Sequence, residues 1–228
     1  SLKRQGDYLE VVIDGKPVTT KAVLLATGSN HRKLGVPGED ELYGRGVHYC
    51  ATCDGAFYRD KTLIVVGGGN SAVQEVMFLT RYASHIDLMV RSRLRASDVL
   101  QKELQKYIDE GKVTVHIGAT TDEVLIKDGA FAGIKTTKDG VQTELAADGL
   151  FVFIGLIPNT QFLGGSGVEL DPQGHIITNE HLETSVKGVY ASGDVRSGST
   201  MQIATAVGEG ATAAAEIREY LDALARES

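Results

Sequence analysis

Two short runs of strand-favouring side chains, Tyr8 to Ile13 and Val18 to Thr20, flank Asp14-Gly15. The pattern predicts a β-hairpin, with the Asp-Gly pair supplying the positive φ of a tight turn. An apolar strand, Ala22 to Ala26, follows and ends at Thr27-Gly28-Ser29. Pro37-Gly38, Gly44 and Gly46 then mark a loop-rich crossing, and a domain boundary is expected near Asn30 to Gly35.

From Thr62 the periodicity alternates between strand and helix. Strands are expected at Leu63 to Val66, Ile86 to Val90 and Val113 to Ile117, with helices at Ser71 to Tyr82 and Ser97 to Asp109 between them. That βαβαβ order implies a right-handed parallel sheet. Glu123 to Ile126, Phe131 to Thr136 and Gln142 to Leu145, the last two joined by Lys138-Asp139-Gly140, predict a small antiparallel unit covering one side of that sheet. A strand at Leu150 to Ile154 completes the unit, and a second boundary is expected near Gly155, before Pro158-Asn159. Beyond it lie an extended stretch at His175 to Thr178, a short strand at Val189 to Ser192, and an Ala-rich helix from about Gln202 to Leu224 whose apolar face should pack in a core.

Composition narrows the class. With 228 residues and 42% hydrophobic side chains, the chain can build two cores, since domains run to about 100 to 200 residues. Its longest apolar runs fall short of the roughly 20 residues that span a bilayer, so no membrane anchor is expected. A formal charge of −7 offers no basic field for nucleic acid. The opening Ser1-Leu2-Lys3-Arg4 has neither an initiator Met nor an apolar signal core, so Ser1 is not expected to be the first residue of the gene product.

The two cysteines, Cys50 and Cys53, form one CxxC. One such pair cannot staple a secreted scaffold, and zinc would need two further ligands at close spacing. Redox use fits best, because the sulfurs can close and open a small ring without large backbone motion. Asp54, next to the second thiol, could donate and accept a proton during thiol–disulfide exchange if burial raises its pKa. His48, also close in sequence, is the weaker candidate for that work.

Gly67-Gly68-Gly69-Asn70-Ser71-Ala72 fits GxGxxA directly after an apolar strand and at a helix start. There glycines let backbone approach a pyrophosphate, and helix N–H groups point at it. The second strand ends Val90-Arg91-Ser92-Arg93-Leu94-Arg95, whereas the nearest acid, Asp87, lies inside the strand. Arg91, Arg93 and Arg95 suit a 2′-phosphate, favouring NADPH over NADH. Gly193-Asp194, ending a short strand before a helix that opens at Gln202-Ile203, forms a third candidate site for ribose or ribityl hydroxyls.

Ala26-Thr27-Gly28, Cys50-Ala51-Thr52-Cys53-Asp54-Gly55, Gly67 to Ala72, Gly155 to Thr160 and Ala191-Ser192-Gly193-Asp194 occur in the order and spacing of the low-molecular-weight thioredoxin reductases. The chain resembles that family over essentially its whole length. The resemblance implies an α/β fold of two Rossmann-like three-layer domains, an NADPH domain inserted into an FAD domain. Residues 1–31 and 156–228 would belong to the flavin domain, and residues 32–155, carrying the CxxC, to the NADPH domain. It further implies thioredoxin-disulfide reductase activity, with electrons passing from NADPH through FAD and the dithiol to thioredoxin. Cys53 would face the flavin, Cys50 would attack the substrate and Asp54 would be the acid. Thr27, Gly28, Gly193, Asp194, Met201, Gln202 and Ile203 would contact FAD.

Such enzymes begin with a strand and GxGxxG turn for the ADP half of FAD, which the sequence from Ser1 does not contain, so a truncated flavin domain is expected. Val90 stands where a histidine is usual, the arginine run is one residue short, and Met201 stands where arginine commonly precedes the glutamine. A homodimer in the cytoplasm is implied, with no nucleic-acid or membrane partner. The alternatives are the flavoprotein subunit of an alkyl-hydroperoxide reductase system, which normally reads NADH through an acidic strand end, and a nucleotide-binding fragment without turnover.

Overall fold

The computed structural model describes residues 1–227. The chain divides into two compact units, Ser1–Asn30 with the chain from Leu156 onward, and His31–Gly155. The first unit opens with a three-stranded antiparallel sheet, β1 (Leu2–Gln5), β2 (Tyr8–Ile13) and β3 (Lys16–Thr20). Asp14 (φ 49) and Gly15 (φ 76) make the β2–β3 turn. The hydrophobic pattern does not announce β1, which has a single apolar side chain; pairing with β2 and burial of Leu2 hold it in place. Strand β4 (Val23–Leu25) follows, then β5 (Ser29–His31).

The second unit is built on a five-stranded parallel sheet in the order β6 (Val47–His48), β13 (Gly149–Val152), β7 (Thr62–Val66), β8 (His85–Val90), β9 (Val113–Ile117). Strands β7, β8 and β13 are buried almost throughout because both faces are covered. Helix α1 (Ala51–Asp54) runs into a 3-10 turn at Gly55–Tyr58. Helices α2 (Asn70–Leu79) and α3 (Asp98–Asp109) cover one face through Val73, Val76, Leu79 and Leu104. Ser97 caps α3 by accepting from the Leu100 N–H at 3.4 Å.

The other face is covered by an antiparallel sheet of β10 (Ala119–Lys127), β11 (Ala130–Lys138) and β12 (Val141–Ala146). Val124 and Ile134 pack there against Ile64, Met89 and Leu150. These strands are longer than their apolar runs, since ladder hydrogen bonds extend past the last buried side chain.

The chain returns to the first unit through β14 (Leu156–Pro158), which pairs with β5, and β15 (Val189–Ala191), which pairs in parallel with β4. His175 to Thr178 forms no strand. Ile176 makes only isolated bridges to Leu170 and Arg196, while its side chain is buried; the Asp171 carboxylate, accepting from the Gln173 and His175 N–H groups, turns the chain there. The last helix, α4 (Ile203–Glu227), also differs from its sequence reading. Ala213 is buried, but Ile203 and Val207 are 84% and 68% exposed, so the apolar face does not pack in a core within this chain. Helix α4 meets the 3-10 turn Gly193–Val195 through Ala206, to whose Cβ a Cβ on Gly193 would lie 3.2 Å, and through Glu209, which accepts from the Gly193 N–H.

Candidate active site

Cys50 and Cys53 are joined as a disulfide, their Cα atoms 5.3 Å apart. Cys50, the N-cap of α1, accepts from the Cys53 N–H at its Sγ, 3.1 Å away. Strand β6 delivers the pair, and buried Ala51 anchors it in the helix-side core. Gly55 lets the turn lie flat on α2, since a Cβ there would fall 2.8 Å from Leu79 Cδ2. The dithiol segment is thus seated near the C-terminal end of α2, whose N-terminal end carries the glycine turn.

Asp54, half-buried after Cys53, meets a group the sequence reading ranked low. Its Oδ2 lies 3.2 Å from Nδ1 of His48, which is 6% exposed. The two lie at ion-pair distance with no hydrogen bond formed between them, and this buried nitrogen has no hydrogen-bond partner. His48 Nε2 is 2.7 Å from the Tyr58 hydroxyl. Phe151 closes the pocket, its ring centroid 5.1 Å from His48 and 5.6 Å from Tyr58. Burial holds the His48 pKa below its ordinary value against the pull of Asp54, and burial, with Asp54 and Asp148 nearby, pushes Tyr58 up to about 12. The ring and the phenol are therefore neutral near pH 7. Tyr58 carries no sequence signal; the 3-10 turn after α1 brings it to His48.

Each glycine of the nucleotide turn has a distinct environment. Gly67 (φ 155) follows β7, and a Cβ there would lie 2.5 Å from the Phe153 carbonyl oxygen and 2.6 Å from Ala72 Cβ. At Gly68 an added Cβ would approach Val90 Cγ1 at 3.1 Å, whereas at Gly69, the N-cap of α2, it would meet nothing within 4 Å. Backbone and helix start are therefore packed behind and open in front, which suits a pyrophosphate. Asn70 Oδ1 accepts from the Ser97 N–H at 2.9 Å, and Ser71 and Ala72 continue the first turn, Ala72 fully buried.

The Gly68 carbonyl accepts from the Arg95 N–H at 2.6 Å and the Ala96 N–H at 3.2 Å. That pair fastens the loop after β8 to the glycine turn and keeps Arg91, Arg93 and Arg95 beside it, all three exposed. Asp87 is occupied elsewhere, its Oδ1 2.7 Å from His116 Nε2, and is not a ribose acceptor at the strand end.

In the first unit, three segments meet at the carboxyl ends of β4 and β15. The Thr27 hydroxyl donates to the Asn159 carbonyl at 2.8 Å, the Asn159 side chain donates to the Thr27 carbonyl at 2.8 Å, and the Asn159 N–H donates to the Gly28 carbonyl at 3.0 Å. The Ser29 hydroxyl donates to the Asp194 carbonyl at 2.6 Å. Glu209 of α4 accepts from the Gly193 N–H at 2.7 Å and pairs with Arg196 through Nη2 at 2.5 Å and Nε at 3.2 Å. Asp194 Oδ1 is buried without a partner. A buried carboxylate oxygen in that state has the capacity to accept from a ligand hydroxyl. Gly28 (φ 66) has open space on its Cβ side, Met201 (φ 57) turns the chain into α4, and Gln202 and Ile203 open that helix. These residues fit the polar end of a flavin nucleotide.

A redox disulfide and a dinucleotide turn in one parallel-sheet unit define a pyridine-nucleotide-dependent disulfide oxidoreductase. The sequence profile of "Pyridine nucleotide-disulphide oxidoreductase" matches residues 3–210. The thioredoxin reductase of Listeria monocytogenes is 42% identical over 96% of this chain and 71% of its own, and that of Bacillus subtilis 40% identical over 96% and 69%. The crystal structure of thioredoxin reductase from Streptococcus pyogenes superposes with a TM-score of 0.89 at 38% identity, over 97% of this chain and 72% of that one. The chain belongs to the pyridine nucleotide-disulphide oxidoreductases and, within them, to the low-molecular-weight thioredoxin reductases. FAD and NADPH are the cofactors of that family.

Proposed function

We propose that this protein reduces the disulfide of oxidised thioredoxin, or of a thioredoxin-like protein, with electrons from NADPH, using Cys50 and Cys53 as the redox pair. The observation carrying this reading is the disulfide at Cys50–Cys53, set in the same parallel-sheet unit as the Gly67–Ala72 turn. When bound, NADPH supplies a hydride and FAD passes its electron pair to the disulfide.

The unit of residues 31–155 is the NADPH domain in this reading, and the other unit contributes to the FAD domain. Gly67, Gly68, Gly69 and the start of α2 bind the pyrophosphate. Arg91, Arg93 and Arg95 bind the 2′-phosphate. Asp194 accepts from a flavin-side hydroxyl, with Thr27, Gly28, Gly193, Met201, Gln202 and Ile203 lining the same end. Cys53 receives the electron pair, Cys50 attacks the substrate disulfide, and Asp54 moves the proton between sulfurs. The exposed arginines, with Asp87 engaged by His116, favour NADPH and argue against the NADH-reading flavoprotein of alkyl-hydroperoxide reductase systems.

No helix among the described residues is long and apolar enough to cross a membrane. A cytoplasmic homodimer fits the NADPH supply and the exposed face of α4.

The test is an anaerobic NADPH titration of the flavin-loaded protein followed by addition of oxidised thioredoxin. Bleaching of the flavin band, and its return with thioredoxin, supports the reading. Flavin that bleaches and stays reduced with thioredoxin in excess overturns the substrate, and flavin that never bleaches overturns the electron path.

A further inference from the structure

The His48–Tyr58 pair lies outside the glycine turn, the arginine loop and the flavin-side residues, and it places a buried, unpartnered nitrogen beside the proposed acid. Two observations define its geometry. His48 Nδ1, buried and without a hydrogen-bond partner, faces Asp54 Oδ2 at 3.2 Å, and Nε2 contacts the Tyr58 hydroxyl at 2.7 Å. The titratable groups around the ring are Asp54 on α1, Tyr58 on the following 3-10 turn, and Asp148 at the start of the neighbouring strand, itself 3.4 Å from Lys61. The wall opposite is Phe151, which is apolar and fully buried.

The Nε2–Tyr58 contact admits either donor, and we take the protonated phenol as the donor to an unprotonated Nε2. That leaves Nε2 as acceptor from Tyr58 and puts the ring proton on Nδ1, the nitrogen that faces Asp54. We propose that His48 is a positioning residue for Asp54, holding an Nδ1–H ready to bond the Asp54 carboxylate whenever that group is ionised. Tyr58 fixes the tautomer that makes this possible. The inference rests on the reading of Asp54 as the proton carrier.

The reduced dithiol reacts with a substrate disulfide as follows. The Cys50 thiol gives its proton to the Asp54 carboxylate, and the Cys50 sulfur bonds one substrate sulfur while the substrate S–S bond breaks. The departing sulfur keeps the bonding pair and takes the proton from Asp54. The Cys53 thiol then passes its proton to Asp54 and attacks the Cys50 sulfur. The second substrate sulfur departs with the bonding pair and takes that proton. Two electrons and two protons have moved; the enzyme pair is oxidised to a disulfide and the substrate reduced to a dithiol. Asp54 must be ionised when each thiol gives up its proton, so the rate rises with pH through that ionisation. The Nδ1–H bond, which only the ionised carboxylate fully accepts, is lost when His48 is replaced.

The experiment reduces the full chain with dithiothreitol, removes the excess, and follows exchange with oxidised thioredoxin across pH. His48→Leu is expected to move the acidic limb up by about one pH unit, the size of one hydrogen bond to a charged group. His48→Asn, which keeps an amide donor near the Nδ1 position, is expected to return it most of the way. NADPH binding monitors folding of each variant. An acidic limb unmoved in His48→Leu overturns the inference. An unmoved limb in Asp54→Asn overturns the parent reading of Asp54 instead, so the two failures are distinguishable. Proton–nitrogen correlation spectra of the histidine rings in the unmutated protein provide a measurement free of folding effects: a neutral Nδ1–H tautomer at His48 supports the inference, and an Nε2–H tautomer overturns it.

Discussion

The Tyr49 hydroxyl donates to Glu39 Oε1 at 2.6 Å, inside the core of the unit that carries the disulfide. Glu39, 2% exposed, also accepts from the Leu34 N–H at 2.8 Å and the Gly35 N–H at 2.7 Å. One carboxylate thus ties the segment entering the unit to the residue before Cys50. Burial, and then Glu39, push the Tyr49 pKa well above its ordinary value, so Tyr49 remains a donor.

Tyr49→Phe removes one of the three donors to Glu39 and is expected to destabilise by about 1–2 kcal/mol. Glu39→Gln turns an NH2 group toward backbone N–H donors and is expected to cost about 2–4 kcal/mol. Denaturant titration monitored by circular dichroism measures both; equal stability of all three proteins would contradict the latch.

Gly67→Ala and Gly69→Ala separate packing from ligand approach. Gly67→Ala meets the Phe153 carbonyl and Ala72, and a loss of about 2–3 kcal/mol is expected in the absence of nucleotide. Gly69→Ala meets nothing, so its melting temperature should stay near the parent's while its NADPH affinity falls at least about tenfold. Thermal melts and fluorescence titration with NADPH distinguish the two.

Arg91→Glu should weaken NADPH far more than NADH, by about tenfold or more, because it removes a phosphate partner and adds a repelling charge. Paired titrations with the two nucleotides decide it. Equal losses would remove the phosphate role from this loop.

Cys53→Ser should leave NADPH affinity unchanged and abolish turnover with thioredoxin, because no intramolecular disulfide can form. Steady-state assay beside a binding titration checks it; turnover at the parent rate would reject the dithiol assignment.

Acid should destabilise the protein in two windows. Burial holds the folded-state pKa of His48 below its ordinary 6.5, so its contribution is complete above that value and is lost as pH falls through the folded-state pKa. Arg196, aided by the Gly193 N–H, holds Glu209 below its ordinary 4.5. That contribution is lost only below 4.5, as pH falls through the folded-state pKa. Melting temperature against pH should therefore fall in two steps, with His48→Asn removing the upper and Glu209→Gln shrinking the lower, to which Asp122 and Asp171, also held below their ordinary 3.8, contribute. A single step unaffected by either variant would refute the assignment.

The sequence by itself determined the βαβαβ order around Gly67, the CxxC with its neighbouring Asp54, and the arginine loop after β8. Each is a short-range pattern: glycine permissiveness, strand and helix periodicity and the ring size of a CxxC all act within a few residues. Only the tertiary structure decided what those residues meet. Asp87 is engaged by His116, 29 positions away, because strands β8 and β9 set both side chains in register. Asp194 is reached by Ser29 across 165 positions, because β4 and β15 pair in parallel. The pocket around His48 forms only when Phe151 and Tyr58 close on it. Ile203 and Val207 stay exposed on α4, whose contact with Gly193–Val195 is made by Ala206 and Glu209. Pairings of this kind depend on strand register and chain reversal over long separations, to which local composition contributes no signal.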